Sequence, residues 1–180
     1  IDEIAKLAGR GDEVSEVTEL AMQGKLDFAQ SLIQRVACLK GVPATQLQQI
    51  RDSIPLMPGI SPLINTLQAH GWHIAIASGG FTYFADYVAA RLGLVEAVAN
   101  QLEIVDGVLT GKVVGDISDA QTKDDTLKRL ARQFNVSMSQ TIALGDGAND
   151  LVMMRDAGLG MAFHAKPLVQ AQAQCAIRYH

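Results

Sequence analysis

The stretch Gly145-Asp146-Gly147-Ala148-Asn149-Asp150 places two carboxylates and an amide directly after the apolar run Thr141-Ile142-Ala143-Leu144. That run reads as a short buried strand closed by a turn. Gly145 and Gly147 supply the backbone freedom that a sharp strand-to-helix turn needs. Open α/β sheets bind ligands at the carboxyl ends of their strands. Two neighbouring carboxylates resist ionising together unless something positive neutralises them. Mg²⁺ suits the task, because it takes one or two carboxylates together with waters and phosphate oxygens. The same residues also suit a plain turn in which Asn149 or Asp150 caps a helix over 151–154. The two readings are compatible.

Three further stretches carry chemistry. Ser78-Gly79-Gly80 follows the apolar run 72–77 and precedes a helix bearing Tyr83, Tyr87 and Leu92. A hydroxyl and backbone N–H groups at such a turn make a phosphate cradle, although a plain glycine turn fits the same residues. Lys123 stands before a helix with Leu127, Leu130 and Ala131, where a solvated lysine is the ordinary reading. Arg35 lies on a helix next to Val36. Its neighbours alone favour a snorkelling surface arginine over a planar fork gripping a carboxylate.

These residues need elements to position them. Over 1–53 the spacing predicts four short helices forming a small bundle. Asp2, Asp12 and Asp27 are placed as caps, with Gly9, Gly24 and Gly41 as stops. Phe28, Leu32, Val36 and Leu39 share one face of the third helix, and Pro43 opens the fourth. After Pro55 and Pro58-Gly59 the pattern changes to strands alternating with helices, which argues for a mostly parallel sheet covered on both faces. The domain boundary is therefore expected at 57/58. Strands are predicted over 72–77, 95–99, 141–144 and 159–163, with an edge strand beginning at Ala176. Asp106-Gly107 between β-formers predicts a hairpin whose second arm reaches Val114. His164 reads as a turn residue.

Composition excludes several classes. Of 180 residues 48% are hydrophobic, enough for a core and too many for a disordered chain. The net charge of −4 and the scattered basic residues leave no nucleic-acid footprint. No apolar run approaches the ~18 residues of a membrane span. Cys38 and Cys175 keep no metal or redox spacing and are expected to be buried thiols of a cytoplasmic protein.

Taken in order, Ser78-Gly79-Gly80, Lys123 and Gly145–Asp150 resemble the second, third and fourth motifs of the haloacid dehalogenase superfamily. The words around Ile1, Met22, Arg35-Val36, Ala77 and Gly145 narrow the resemblance to its phosphoserine phosphatases, and it covers essentially the whole chain. It implies a doubly wound α/β core over 58–180 with a helical cap over 1–57. The activity it implies is Mg²⁺-dependent hydrolysis of L-phosphoserine, a small-molecule partner, through an aspartyl-phosphate intermediate. Residue by residue, Ser78 and the Gly79 amide would hold the phosphoryl oxygens and Lys123 would supply positive charge. Asp146 would ligate Mg²⁺, and Asn149 and Asp150 would position the metal site or substrate. Arg35 would pair with the substrate carboxylate, and Met22 and Phe28 would line the cap. A homodimer is compatible with this reading. The nearest alternatives are a phosphatase or phosphotransferase for another small phosphomonoester, and a non-catalytic ligand-binding relative.

The family's first motif, Asp-x-Asp-x-Thr, occurs nowhere in the 180 residues. The chain is accordingly expected to be part of a longer polypeptide whose upstream residues carry both catalytic aspartates and the first, central strand of the sheet, and it is expected to be inactive alone. A core without that strand leaves two strand edges unpaired.

Overall fold

A computed structural model describes residues 1–178. Its backbone divides into two compact units, Ile1–Ile117 and Ser118 onward.

The first unit begins with four helices, α1 (Asp2–Leu7), α2 (Gly11–Met22), α3 (Phe28–Ala37) and α4 (Ala44–Ser53). Of the three expected caps, only Asp27 serves. Its carboxylate accepts from Gln30 N–H at 2.7 Å while the Gln30 side chain accepts from Asp27 N–H at 3.1 Å, a reciprocal capping box. Asp2 and Asp12 instead lie inside the first turns of their helices, where a carboxylate still faces the positive helix end. The helices and the α3–α4 connection bury Ile4, Ala5, Val14, Leu32, Val36, Leu39 and Leu47 in one core.

That core does not stop at the helices. After α5 (Ile60–Ala69) come β1 (Ala75–Phe81), α6 (Thr82–Leu92), β2 (Glu96–Val105) and β3 (Val108–Val114). Phe81, Leu102 and Leu109 from these strands complete the helical core. The expected boundary at 57/58 thus falls within the first unit. The β2–β3 hairpin explains the continuity. Its turn has positive φ at both Asp106 and Gly107, as a tight two-residue hairpin requires. Its second arm laps onto the α3–α4 connection: Gly41 N–H donates to Leu109 C=O at 2.7 Å, Leu109 N–H to Val42 C=O at 2.9 Å, and Ala44 N–H to Gly107 C=O at 2.8 Å.

Two strand predictions need correction. The first strand starts at Ala75 rather than Trp72 and continues through Ser78-Gly79-Gly80 to Phe81, so these residues are no turn. The strand expected over 95–99 and the first arm of the predicted hairpin are one strand, β2, parallel to β1 in its first half and antiparallel to β3 in its second. One strand serves two partners there, which an apolar pattern alone does not reveal.

The second unit comprises α7 (Ala120–Gln133), β4 (Ile142–Gly145), α8 (Leu151–Asp156), β5 (Leu159–Phe163), α9 (Pro167–Gln172) and β6 (Cys175–Ile177), with 3₁₀ turns at Met138–Gln140 and Ala148–Asp150. Strands β4, β5 and β6 pair in parallel. Among the described residues the strands therefore form two three-stranded sheets, with β1 and β4 each an outer strand. Strand β4 is not buried on both faces, since Ile142 and Leu144 are exposed while Ala143 is buried. His164 occupies a turn at φ 48°. Both cysteines are free but only half-buried, against expectation. No described helix is long and apolar enough to cross a membrane.

Helix α8 packs on β5 so closely that a Cβ added to Gly160 would lie 2.2 Å from Met154 C=O, a backbone atom with no room to retreat. Gly160→Ala is expected to cost about 1–3 kcal/mol of stability, as overpacking does. Denaturant melts check this, and an unchanged midpoint would refute the close approach.

Candidate active site

In the second unit the glycine turn is organised by one carboxylate. Asp150 is 5% exposed, and both of its oxygens are committed. Oδ1 accepts from Lys123 Nζ at 2.6 Å, and Oδ2 accepts from Asp146 N–H and Gly147 N–H at 3.1 Å each. The side chain folds back over the turn, so the expected cap on the following helix is absent: Asp150 makes no side-chain cap bond to α8. Gly145 is required by this arrangement, because a Cβ there would stand 2.3 Å from Asp150 Cβ.

Lys123 is not ahead of its helix but within the first turn of α7, and only 4% exposed. Asp119 caps that helix by accepting from Thr122 N–H at 2.9 Å, which holds its carboxyl below the usual carboxylate range. A buried ammonium is costly unless paired and hydrogen-bonded. Asp150 meets this need with one bond of the three an ammonium can donate. A second clamp joins α7 to α8: Lys128 Nζ lies 2.6 Å from Asp124 Oδ2 and 2.6 Å from Asp156 Oδ2. Asp124 and Asp156 in turn raise the Lys128 pKa.

Asp146 presents an exposed carboxylate at the end of β4, and Asn149 stands half-buried beside it. No group of three or more His, Cys, Asp or Glu side chains able to hold a metal occurs among the described residues. The donor set nevertheless fits the modest protein contribution that Mg²⁺ requires, one carboxylate beside waters and phosphate oxygens. Asp146 fits that position. Asp150, with both oxygens engaged, fits a supporting role alone.

In the first unit Ser78 and Gly79 sit on β1 where its pairing with β2 slips. Ser78 Oγ accepts from Gly80 N–H at 3.0 Å. The fully buried Asn100 of β2 donates its amide to Gly79 C=O at 2.9 Å and Gly80 C=O at 3.1 Å. Ser78 and Gly80 also border a mostly apolar cavity of about 380 Å³ lined by Ile4, Ile76 and Phe84.

Arg35 already holds a carboxylate, its Nη2 being 2.8 Å from Asp2 Oδ1, and its side chain is largely buried. The fork is not exhausted, since Nε is buried without a partner. Met22 is 84% exposed and Phe28 40% exposed, both unusually open for apolar side chains. The structure thus joins Lys123, Asp150 and the Asp146 backbone in one unit, and Ser78, Gly79 and Asn100 in the other. Sequence reasoning missed Asn100 and the Lys128 clamp. The i, i+4 spacing of Asp124 and Lys128 was a legible signal for the clamp, and an asparagine amid β-formers was a weaker one for Asn100.

Comparison with known proteins identifies the family. The model of the haloacid dehalogenase-like hydrolases matches residues 1–158. A phosphoserine phosphatase of Vibrio cholerae is 60% identical over 99% of this chain and 55% of its own length. One from Idiomarina loihiensis is 52% identical over 98% of this chain and 80% of its own. A solved structure described as a phospho-aspartyl intermediate analogue of phosphoserine phosphatase superposes with a TM-score of 0.91 at 38% identity, covering 99% of this chain and 86% of that one. The chain spans about half the length of the Vibrio relative. With the family model across most of the chain and a majority of positions shared with a relative that it largely covers, this chain belongs to the haloacid dehalogenase-like hydrolases, on their phosphoserine phosphatase branch.

Proposed function

We propose that the protein carrying this chain is a cytoplasmic, Mg²⁺-dependent phosphatase that converts L-phosphoserine to L-serine; relatives named phosphoserine phosphatase support the substrate. The observation that carries this reading is the buried Lys123–Asp150 pair at a glycine turn presenting the Asp146 carboxylate. A fixed ammonium bonded to the turn that carries an exposed carboxylate suits a phosphoryl group and its metal.

In this reading residues 1–57 act as the cap and 58–180 as the core. The Ser78 hydroxyl and Gly79 N–H bind phosphoryl oxygens, and Lys123 offsets their charge. Asp146 ligates Mg²⁺, which when bound neutralises charge on the transferring group. Asn149 and Asp150 position the turn, and Met22 and Phe28 supply an apolar wall. An aspartate outside residues 1–180 attacks phosphorus, the bond to the serine oxygen breaks, and a second aspartate delivers a proton to that oxygen. The second aspartate then takes a proton from the water that hydrolyses the acyl phosphate. The phospho-aspartyl analogue described for the 38%-identical structure supports this route. The remaining donors of Arg35 bind the substrate carboxylate.

One observation favours a different small phosphomonoester: Asp2 already engages the Arg35 fork. The substrate pair decides. In the full-length protein, Arg35→Ala is expected to raise KM for phosphoserine about tenfold or more while leaving p-nitrophenyl phosphate nearly unchanged. Equal effects on both substrates would remove the carboxylate role. Lys123→Met should abolish turnover and also destabilise the fold by about 3–5 kcal/mol, because Asp150 is left buried and unpaired. Adding Asp150→Asn should recover much of that stability and none of the turnover. Retained turnover in either variant would defeat the proposed role of Lys123.

A further inference from the structure

We propose that Asn100 is a positioning residue for phosphoryl binding: its buried amide orients the Gly79 and Gly80 peptides and, through them, the Ser78 hydroxyl. The inference rests on the reading of Ser78 as a phosphoryl ligand.

The pairing of β1 with β2 sets up the need. Ala75, Ile76 and Ala77 stand opposite Glu96, Ala97 and Val98, and pairing resumes with Phe81 opposite Asn100. Residues 78, 79 and 80 therefore face residue 99 alone, and the excess bulges out of the sheet. A bulge disrupts the ladder, and the half-buried peptides it displaces need bonds from another donor. Asn100 fills the gap. Its side chain has two N–H donors, and it sits within hydrogen-bond reach of the Gly79 and Gly80 carbonyls. A hydrophobic residue of similar volume at this position would supply neither bond.

The consequence reaches Ser78 through peptide planarity. In a trans peptide the C=O and the following N–H point in opposite directions. Fixing the Gly79 carbonyl toward Asn100 therefore aims the Gly80 N–H the other way, and there it donates to Ser78 Oγ at 3.0 Å. With its oxygen accepting that bond, the hydroxyl keeps its proton to donate to an anion. The chain of cause runs from the Asn100 amide to the Gly79–Gly80 peptide to the orientation of the serine.

The test uses the full-length protein, with inorganic phosphate and L-serine as separate inhibitors of phosphoserine turnover. Asn100→Leu is expected to raise the inhibition constant for phosphate about tenfold, and KM for phosphoserine similarly, while L-serine inhibition stays within about twofold. Asn100→Ser, which retains one donor, should recover part of the loss. Unchanged phosphate inhibition in the leucine variant overturns the inference, and so does an equal loss for phosphate and L-serine, which would make Asn100 a residue of the core alone. Should Asn100→Leu fail to fold, Asn100→Ser decides: a selective loss of phosphate affinity supports the inference, while unchanged affinity or unfolding overturns it. Ser78→Ala separates the two levels. If it impairs phosphate binding and the Asn100 variants do not, the inference alone falls; if it has no effect, the reading of Ser78 falls as well.

Discussion

A single buried carboxylate, that of Asp150, sets the geometry on which the second unit depends. It receives one charged donor from α7 and two backbone donors from the glycine turn. Together these replace the water it gives up on burial, which attraction to an ammonium alone seldom achieves. The arrangement is also directional. The turn can close only where Gly145 leaves room for the Asp150 side chain, and it then leaves the Asp146 carboxylate outside. One acidic residue is consumed by structure so that its neighbour four positions earlier stays available for ligands.

Similar economy appears in the first unit, where an irregularity rather than a loop creates the polar feature. Strand β1 carries three residues past one on β2, and a side-chain amide takes over the bonding the ladder loses. Both polar features thus lie at or within strands, held by neighbouring elements, instead of on mobile connections. Rigid elements hold binding groups to tighter tolerances than loops do.

Much of this was legible in the chain. The Asp27 cap, the Asp106-Gly107 hairpin, the turn at His164 and strand β5 follow from local rules that act over a few residues. The errors share a cause. Asp2 reads as a cap until Arg35, distant in sequence, draws its carboxylate. Lys123 reads as solvated because nothing adjacent shows that Asp150 will meet it. The glycines after Ala77 read as a turn because a bulge needs a partner strand to define it. By contrast the 57/58 boundary follows a real change in pattern, while the hairpin that adds Leu102 and Leu109 to the helical core arrives some fifty residues later. Chemistry-bearing residues could be picked out by type and motif. Their partners could not, because pairing is decided by the fold.

The lap of the hairpin onto the α3–α4 connection has a mechanical meaning. Three main-chain bonds rivet the helical layer to the β2–β3 ribbon, and Leu109 fastens them from within. Helices and ribbon therefore share a main-chain seam as well as a core, and removing either would strip apolar cover and backbone partners from the other.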